Sequence, residues 1–302
     1  MSIAPLAAVP SLHRPAPVFR GRIGQDARGG HYAVPHRYRL HLSTATPDGL
    51  RLAVGHRLLG LDGSCPVTFL PAVPDQPDGG HSALRPLYEA SAHHYTGPAL
   101  APVLSDDWSG RVVSTHAPEI LRDLDRFRPN GRASLYPSGA ESEIEAVERL
   151  CAEDVQRSAQ RAGRTGADPA DRASAVEHLL DTLGRLERYL AGEEFLVAGR
   201  LTAADVELWV ALVQLDTVHR HRIDALAVQR VAGHPALWSH ARRLAAHPAF
   251  AAHLDPDGIA ASAEADRAVP PLQERDFLAG RVTRPLAGDT TARPEDVSLP
   301  RR

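Results

Sequence analysis

The hydrophobic periodicity of this chain changes once, and that change divides it. In the first part, short stretches that alternate apolar and polar residues stand between stretches with helical spacing; from Ser138 onward no convincing strand pattern occurs. A period of two puts every second side chain on one face of a strand, whereas spacings of three and four line up one side of a helix. Tyr38-Arg39-Leu40-His41-Leu42 alternates and predicts a strand. It leads through Ser43-Thr44-Ala45-Thr46-Pro47-Asp48-Gly49 into a helical pattern with Leu50, Val54 and Leu58 on one face. Cys65 to Leu70 reads as a second strand, and Leu84 to Ser91 as a short helix. Ala101-Pro102-Val103-Leu104 and Gly110-Arg111-Val112-Val113 predict two short strands joined by a turn at Asp106-Asp107-Trp108-Ser109. Ser114 or Thr115 offers an oxygen to cap a helix running to about Leu124. Pro118 is tolerated there because first-turn amides have no intrahelical partner.

The order strand, helix, strand, helix, strand, strand, helix is that of a thioredoxin-like domain. In the second part, Val176, Leu179, Leu180, Leu183, Leu186 and Leu190 mark one long amphipathic helix. Thr202 and Asp205 have the spacing of a capping box, in which each residue satisfies an amide of the other. The helix that follows, with Val206, Trp209, Val210, Leu212, Val213 and Leu215, is apolar around much of its circumference and is expected at the centre of this half. A further helix spans roughly Pro235 to Ala246. The fold class expected is therefore α/β, thioredoxin-like, followed by an all-α domain. The expected division is a Pro-rich leader at 1–18, a thioredoxin-like domain at 19–130, an all-helical domain at 131–266, and a peripheral or disordered tail at 267–302.

Composition narrows the partners. The net charge is −3, every basic residue is Arg, and no basic face stands out, which argues against nucleic acid and anionic membranes. No apolar run is long enough to span a bilayer, and Pro5, Pro10, Pro15 and Pro17 interrupt the beginning, so a cytoplasmic location is expected. Two cysteines, Cys65 and Cys151, are too few for a disulfide framework and fit a reducing compartment. Walker-type loops, Gly-x-Ser-x-Gly elbows and His-Glu-x-x-His motifs do not occur.

Several segments, in order, resemble the glutathione-transferase superfamily, and within it the xi class, the glutathionyl-hydroquinone reductases. They are Phe19-Arg20 with Arg37 to Ser43, Tyr95-Thr96-Gly97 through Leu104, Glu119 to Arg122, Leu201 to Asp205 with Leu212 to Val218, and Leu254 to Ile259. The resemblance implies an all-helical second domain of the glutathione-transferase type, a homodimer, and a site for glutathione or another low-molecular-weight thiol such as mycothiol. It places that site at Asp48, Arg51, Ala101, Pro102, His116 and Ala117, with Pro102 in a cis linkage, and puts His219 in the pocket for the second substrate.

Three positions depart from the family pattern. The family loop reads Ser-x-Ala-Cys-Pro-Trp-Ala-His-Arg, and Thr46 stands where it has its nucleophilic cysteine. A thiolate at a helix N-terminus can attack because its pKa falls into the working range; a threonine hydroxyl does not ionise there. His116-Ala117 replaces the family's Glu-Ser pair, and His219 replaces its tyrosine. The implied function is a thiol-dependent transferase in which Thr46, with Ser43 or Thr44 as lesser candidates, donates a hydrogen bond that lowers the pKa of a bound thiol. Two alternatives stand beside it. One is a catalytically degenerate or repurposed module that binds a hydrophobic metabolite or a protein. The other is a cofactor-independent enzyme with Asp48, His116 or His219 as acid or base. Cys65 and Cys151 are expected to be inert buried thiols. No metal is expected, since His219 and His221, and His93 and His94, lack Cys or carboxylate partners at ligand spacing.

Overall fold

The computed structural model describes residues 19–24, 30–129 and 131–265; the leader and tail of the sequence reading lie outside them. Strand β1 (Tyr38–Leu42) is followed by α1 (Pro47–Leu59), β2 (Val67–Phe69), a 3-10 turn (Ser82–Leu84), α2 (Arg85–Ser91), β3 (Val103–Asp106), β4 (Arg111–Ser114) and α3 (Ala117–Asp125). The four strands form one sheet in the order β2-β1-β3-β4, with β1 parallel to β2 and antiparallel to β3. Alternation in β1 sends Tyr38, Leu40 and Leu42 into the core, all fully buried. The second strand is shorter than its apolar run because Pro66 has no amide for the ladder; its carbonyl accepts from Leu40 instead. The cap expected for α3 shifts by one or two residues: His116 occupies the cap position without a side-chain cap bond, and Ser114 Oγ accepts from the His116 amide at 3.2 Å.

Helices make up the rest: α4 (Glu141–Arg149), a π-helical turn (Leu150–Gln156), α5 (Arg157–Ala162), α6 (Pro169–Leu190), α7 (Ala203–Gln214), a second π-helical turn (Leu215–His219), α8 (Ala225–Ala232), α9 (Pro235–Ala245), α10 (Pro248–Ala251) and α11 (Pro256–Ala265). The apolar stripe of α6 is buried along its length. Every residue of α7 is buried, including the charged Asp205 and Glu207. A helix enclosed on all sides joins whatever packs on it, and α7 packs against α1 of the sheet half and α4 and α9 of the helical half. Next to it, α1 approaches α3 at Gly55, where an added Cβ would come within 2.3 Å of a Leu121 methyl.

The start of α7 rests on Asp205. Its carboxylate accepts from the amides of Thr202 and Leu196, each at 2.9 Å, and from the Thr202 hydroxyl at 3.1 Å. Burial raises the Asp205 carboxyl above its ordinary range, against these hydrogen bonds. Replacing Asp205 with Ala strands two buried amides. The expected loss is about 2–4 kcal/mol of unfolding free energy, read as a lower urea midpoint with unchanged slope.

Candidate functional site

Strand register creates the site. His41 of β1 lies opposite Val103 of β3, so the chain leaving β1 through Ser43 to Thr46 and the chain entering β3 through Ala101-Pro102 meet at one end of the sheet. The Ala101–Pro102 peptide is cis, as the resemblance implied. At this end Thr46 is the N-cap of α1. Its Oγ1 accepts from the Gly49 amide at 3.1 Å and donates to the Ser43 carbonyl at 3.1 Å. The first turn of α1 lies so close on the loop that a Cβ at Gly49 would fall 1.9 Å from the Ser43 carbonyl oxygen. Ser43 is buried and its hydroxyl accepts from the Ala45 amide at 3.4 Å.

Of the other residues the sequence reading named, Ala117 is buried in the first turn of α3 and His116 is half-buried at its cap. The His116 imidazole lies 3.4 Å from Glu119 one turn along, and Glu119 in turn lies 3.8 Å from Arg22. Asp48 sits in the first turn of α1 with its carboxylate 3.2 Å from the Arg51 guanidinium. His219 is buried in the π-helical turn after α7, which packs against α5 and α11 of the helical half.

Neither cysteine is a ready nucleophile. Both are free and buried; burial pushes the Cys65 thiol up to about 12 and raises the Cys151 thiol well above its ordinary range. A thiol held that high has almost no thiolate at neutral pH. The His93 and His94 rings are exposed, 3.8 Å apart. Among the described residues no three His, Cys, Asp or Glu side chains gather as metal ligands would.

The sequence reading missed the charged cluster behind the site. Arg51 is buried and ion-paired with Glu207 of α7 as well as with Asp48. Burial pushes the Glu207 carboxyl up to about 7, against the pull of Arg51. The Gln156 amide lies 3.5 Å from the other Glu207 oxygen. Beside them Glu148 of α4 accepts from Arg122 of α3 at 2.7 Å and from the Tyr136 hydroxyl at 2.9 Å. Ion pairs thus tie the sheet half to the helical half, α1 to α7 through Arg51 and Glu207, and α3 to α4 through Arg122 with Glu148 and Glu145. The available signal was a pair of charged residues, Asp205 and Glu207, inside an otherwise apolar helix.

The family model of the glutathione S-transferase C-terminal domain matches residues 145–255. The glutathionyl-hydroquinone reductase PcpF of Sphingobium chlorophenolicum is 30% identical over 247 residues, which cover 76% of this chain and 77% of that protein. The glutathionyl-hydroquinone reductase YqjG of Escherichia coli K12 is 28% identical over 244 residues, covering 70% and 74%. Its glutathione-bound structure aligns with a TM-score of 0.72 over 83% of this chain and 88% of that one. The crystal structure of a glutathione transferase from Gordonia bronchialis aligns with a TM-score of 0.75 at 26% identity, covering 86% and 88%.

Burial of both thiols predicts that the native protein is inert to Ellman's reagent on the timescale of minutes and yields two reactive thiols once guanidinium unfolds it. Rapid reaction of either thiol in the folded protein contradicts the placement of Cys65 and Cys151.

Proposed function

We propose a function from one premise: the chain belongs to the glutathione-transferase superfamily, among the homologues of the xi-class glutathionyl-hydroquinone reductases. The function is the binding of a low-molecular-weight thiol, glutathione or one like it, where the start of α1 meets Pro102, and its transfer to a small electrophile without any cysteine step. The sulfur is held by the Thr46 hydroxyl. The observation that carries this reading is that the Thr46 hydroxyl caps α1, where the resemblance implies a nucleophilic cysteine, in a chain whose two thiols are both buried.

The chemistry follows from the freedom of that hydroxyl. The Thr46 oxygen is fixed as acceptor to Gly49, but its proton rotates about the Cβ–Oγ1 bond without moving the oxygen. Turning from the Ser43 carbonyl toward a sulfur at the helix start, it donates to the thiolate and favours ionisation of the thiol. The α1 N-terminus adds its positive end in the same direction. The thiol releases its proton to water, the sulfur lone pair forms the new bond to an electrophilic carbon, and the leaving group departs with its electron pair. Reduction through a mixed disulfide with the protein does not belong to this scheme, because Thr46 forms none. The glutathione held by the YqjG structure supports glutathione as the first thiol to try. A homodimer, the family habit, and a cytoplasmic location complete the reading.

A second reading rests on a separate observation. The Thr46 proton, the His116 ring and the Arg51 guanidinium each have a partner within the protein, which suits a module that binds a small molecule or a protein without turnover.

Titration calorimetry with glutathione and other small thiols is expected to show binding by the wild type. Thr46→Ala weakens it about tenfold to a hundredfold, the worth of a hydrogen bond to a charged group, and Thr46→Ser restores it. Thr46→Cys exchanges with glutathione disulfide, forming a mixed disulfide and releasing one glutathione as the thiol, seen as a mass increase absent from the wild type. Binding without conversion of any electrophile supports the second reading; failure to bind any thiol removes the first.

A further inference from the structure

The residue least explained by the fold is Glu207. A carboxylate on an entirely buried helix is costly unless a cation meets it, and an apolar side chain of its size would fill the same space. Its cation, Arg51, is on the other half of the molecule and one turn from the Thr46 cap. Arg51 also holds Asp48, whose half-exposed carboxylate stands in the first turn of α1. An acid there favours the helix but opposes a second anion at the same helix start, such as a bound thiolate. We propose that Glu207 is a positioning residue for the thiol site: across the interface it competes with Asp48 for Arg51 and so sets how far the guanidinium neutralises Asp48 beside Thr46. This deepens the thiol-site reading and rests on it.

One guanidinium faces two carboxylates. With Glu207 protonated the group of three sums to zero; with Glu207 ionised it sums to −1, and Asp48 shares Arg51 with a competitor. The remaining charged and titratable neighbours are fixed elsewhere or remain neutral. Glu148 on α4 is bonded to Arg122 and Tyr136. On the π-helical turn after α4, Cys151 is buried and un-ionised, and Asp154 lies 3.1 Å from His178. On α9, His240 faces Asp205 at 3.6 Å, not Glu207. Because burial holds the Glu207 carboxyl near neutrality, a rise in pH through that range makes the α1 start more negative and disfavours the thiolate there.

The test needs no thiol at first. Amide resonances of Thr46 and Gly49 are followed against pH in the full-length apo protein. A step in the neutral range is expected in the wild type and is lost in Glu207→Gln, while the Thr202 and Leu196 amides, bonded to Asp205, stay in place. A step that survives in Glu207→Gln, or a wild type with none, overturns the proposal. If Glu207→Gln does not fold, Asp48→Asn decides: it leaves the buried pair intact, and the step shrinks if Arg51 carries the effect but stands unchanged, against the proposal, if it does not. Glutathione is then added. Thiolate absorbance appears at lower pH in Glu207→Gln than in the wild type. A protein with the amide step but no glutathione uptake retains the coupling and loses the thiol reading.

Discussion

Arg51 and Glu207, buried together between the two halves, fix how α1 lies against α7. Desolvating both charges is expensive, and their attraction in a poorly polarisable interior returns most of it only while both are present and close. Removal of Arg51 leaves Glu207 buried without its cation, a loss of several kcal/mol at pH values where it is ionised, whereas removal of Glu207 leaves Arg51 with Asp48. An apolar contact of the same size would hold the halves together equally well but would accept sliding along the helix. An ion pair does not. The pair therefore specifies register, and the register it specifies is that of the helix whose start forms the candidate site.

A hydroxyl at the start of α1, where the resemblance implies a sulfur nucleophile, has consequences that reach beyond one atom. Cysteine at a helix N-terminus is activated by the same free amides and dipole that Thr46 engages as a cap. Threonine uses those amides for stability: Gly49 bonds to its oxygen, and the loop closes tightly onto Ser43. The groups that would lower a thiol pKa remain, yet the protein supplies no thiol to them, and burial has removed Cys65 and Cys151 from contention. Whatever sulfur the site meets has to come from a ligand.

Local signals were read well and long-range ones were not. Alternation over Tyr38–Leu42, the apolar stripe of α6 and the Thr202–Asp205 spacing each report on a few neighbouring residues, and the structure has all three. The α3 cap was misplaced because Ser114 and Thr115 both have cap chemistry, yet each is engaged with a neighbour. Ser114 Oγ accepts from His116, while the Thr115 amide and hydroxyl donate to the Phe19 carbonyl. Arg51 was assigned to thiol binding on resemblance; nothing near it in the chain indicates that its partner lies on a helix of the other half. Pairing across such a distance is a property of packing, and periodicity does not contain it. The only trace was the oddity of Glu207 among apolar residues.

The start of α3 shows how these substitutions act together on ligand choice. Free amides at a helix start attract a carboxylate, and the family places Glu-Ser there to hold an amino-acid end with both charges. Here the imidazole of His116 lies next to Glu119 in the first turn, and Glu119 shares the amide field that an incoming carboxylate would seek. A ligand carboxylate at this end competes with an internal one, and a ligand ammonium finds no carboxylate where the family's Glu would stand. On the proposed thiol reading, the charged γ-glutamyl end of glutathione would lose part of its hold while the sulfur end would keep the Thr46 hydroxyl. On that reading affinity would shift toward the thiol and away from the amino-acid moiety, so a thiol with a neutral, polyhydroxylated remainder would be penalised less than glutathione.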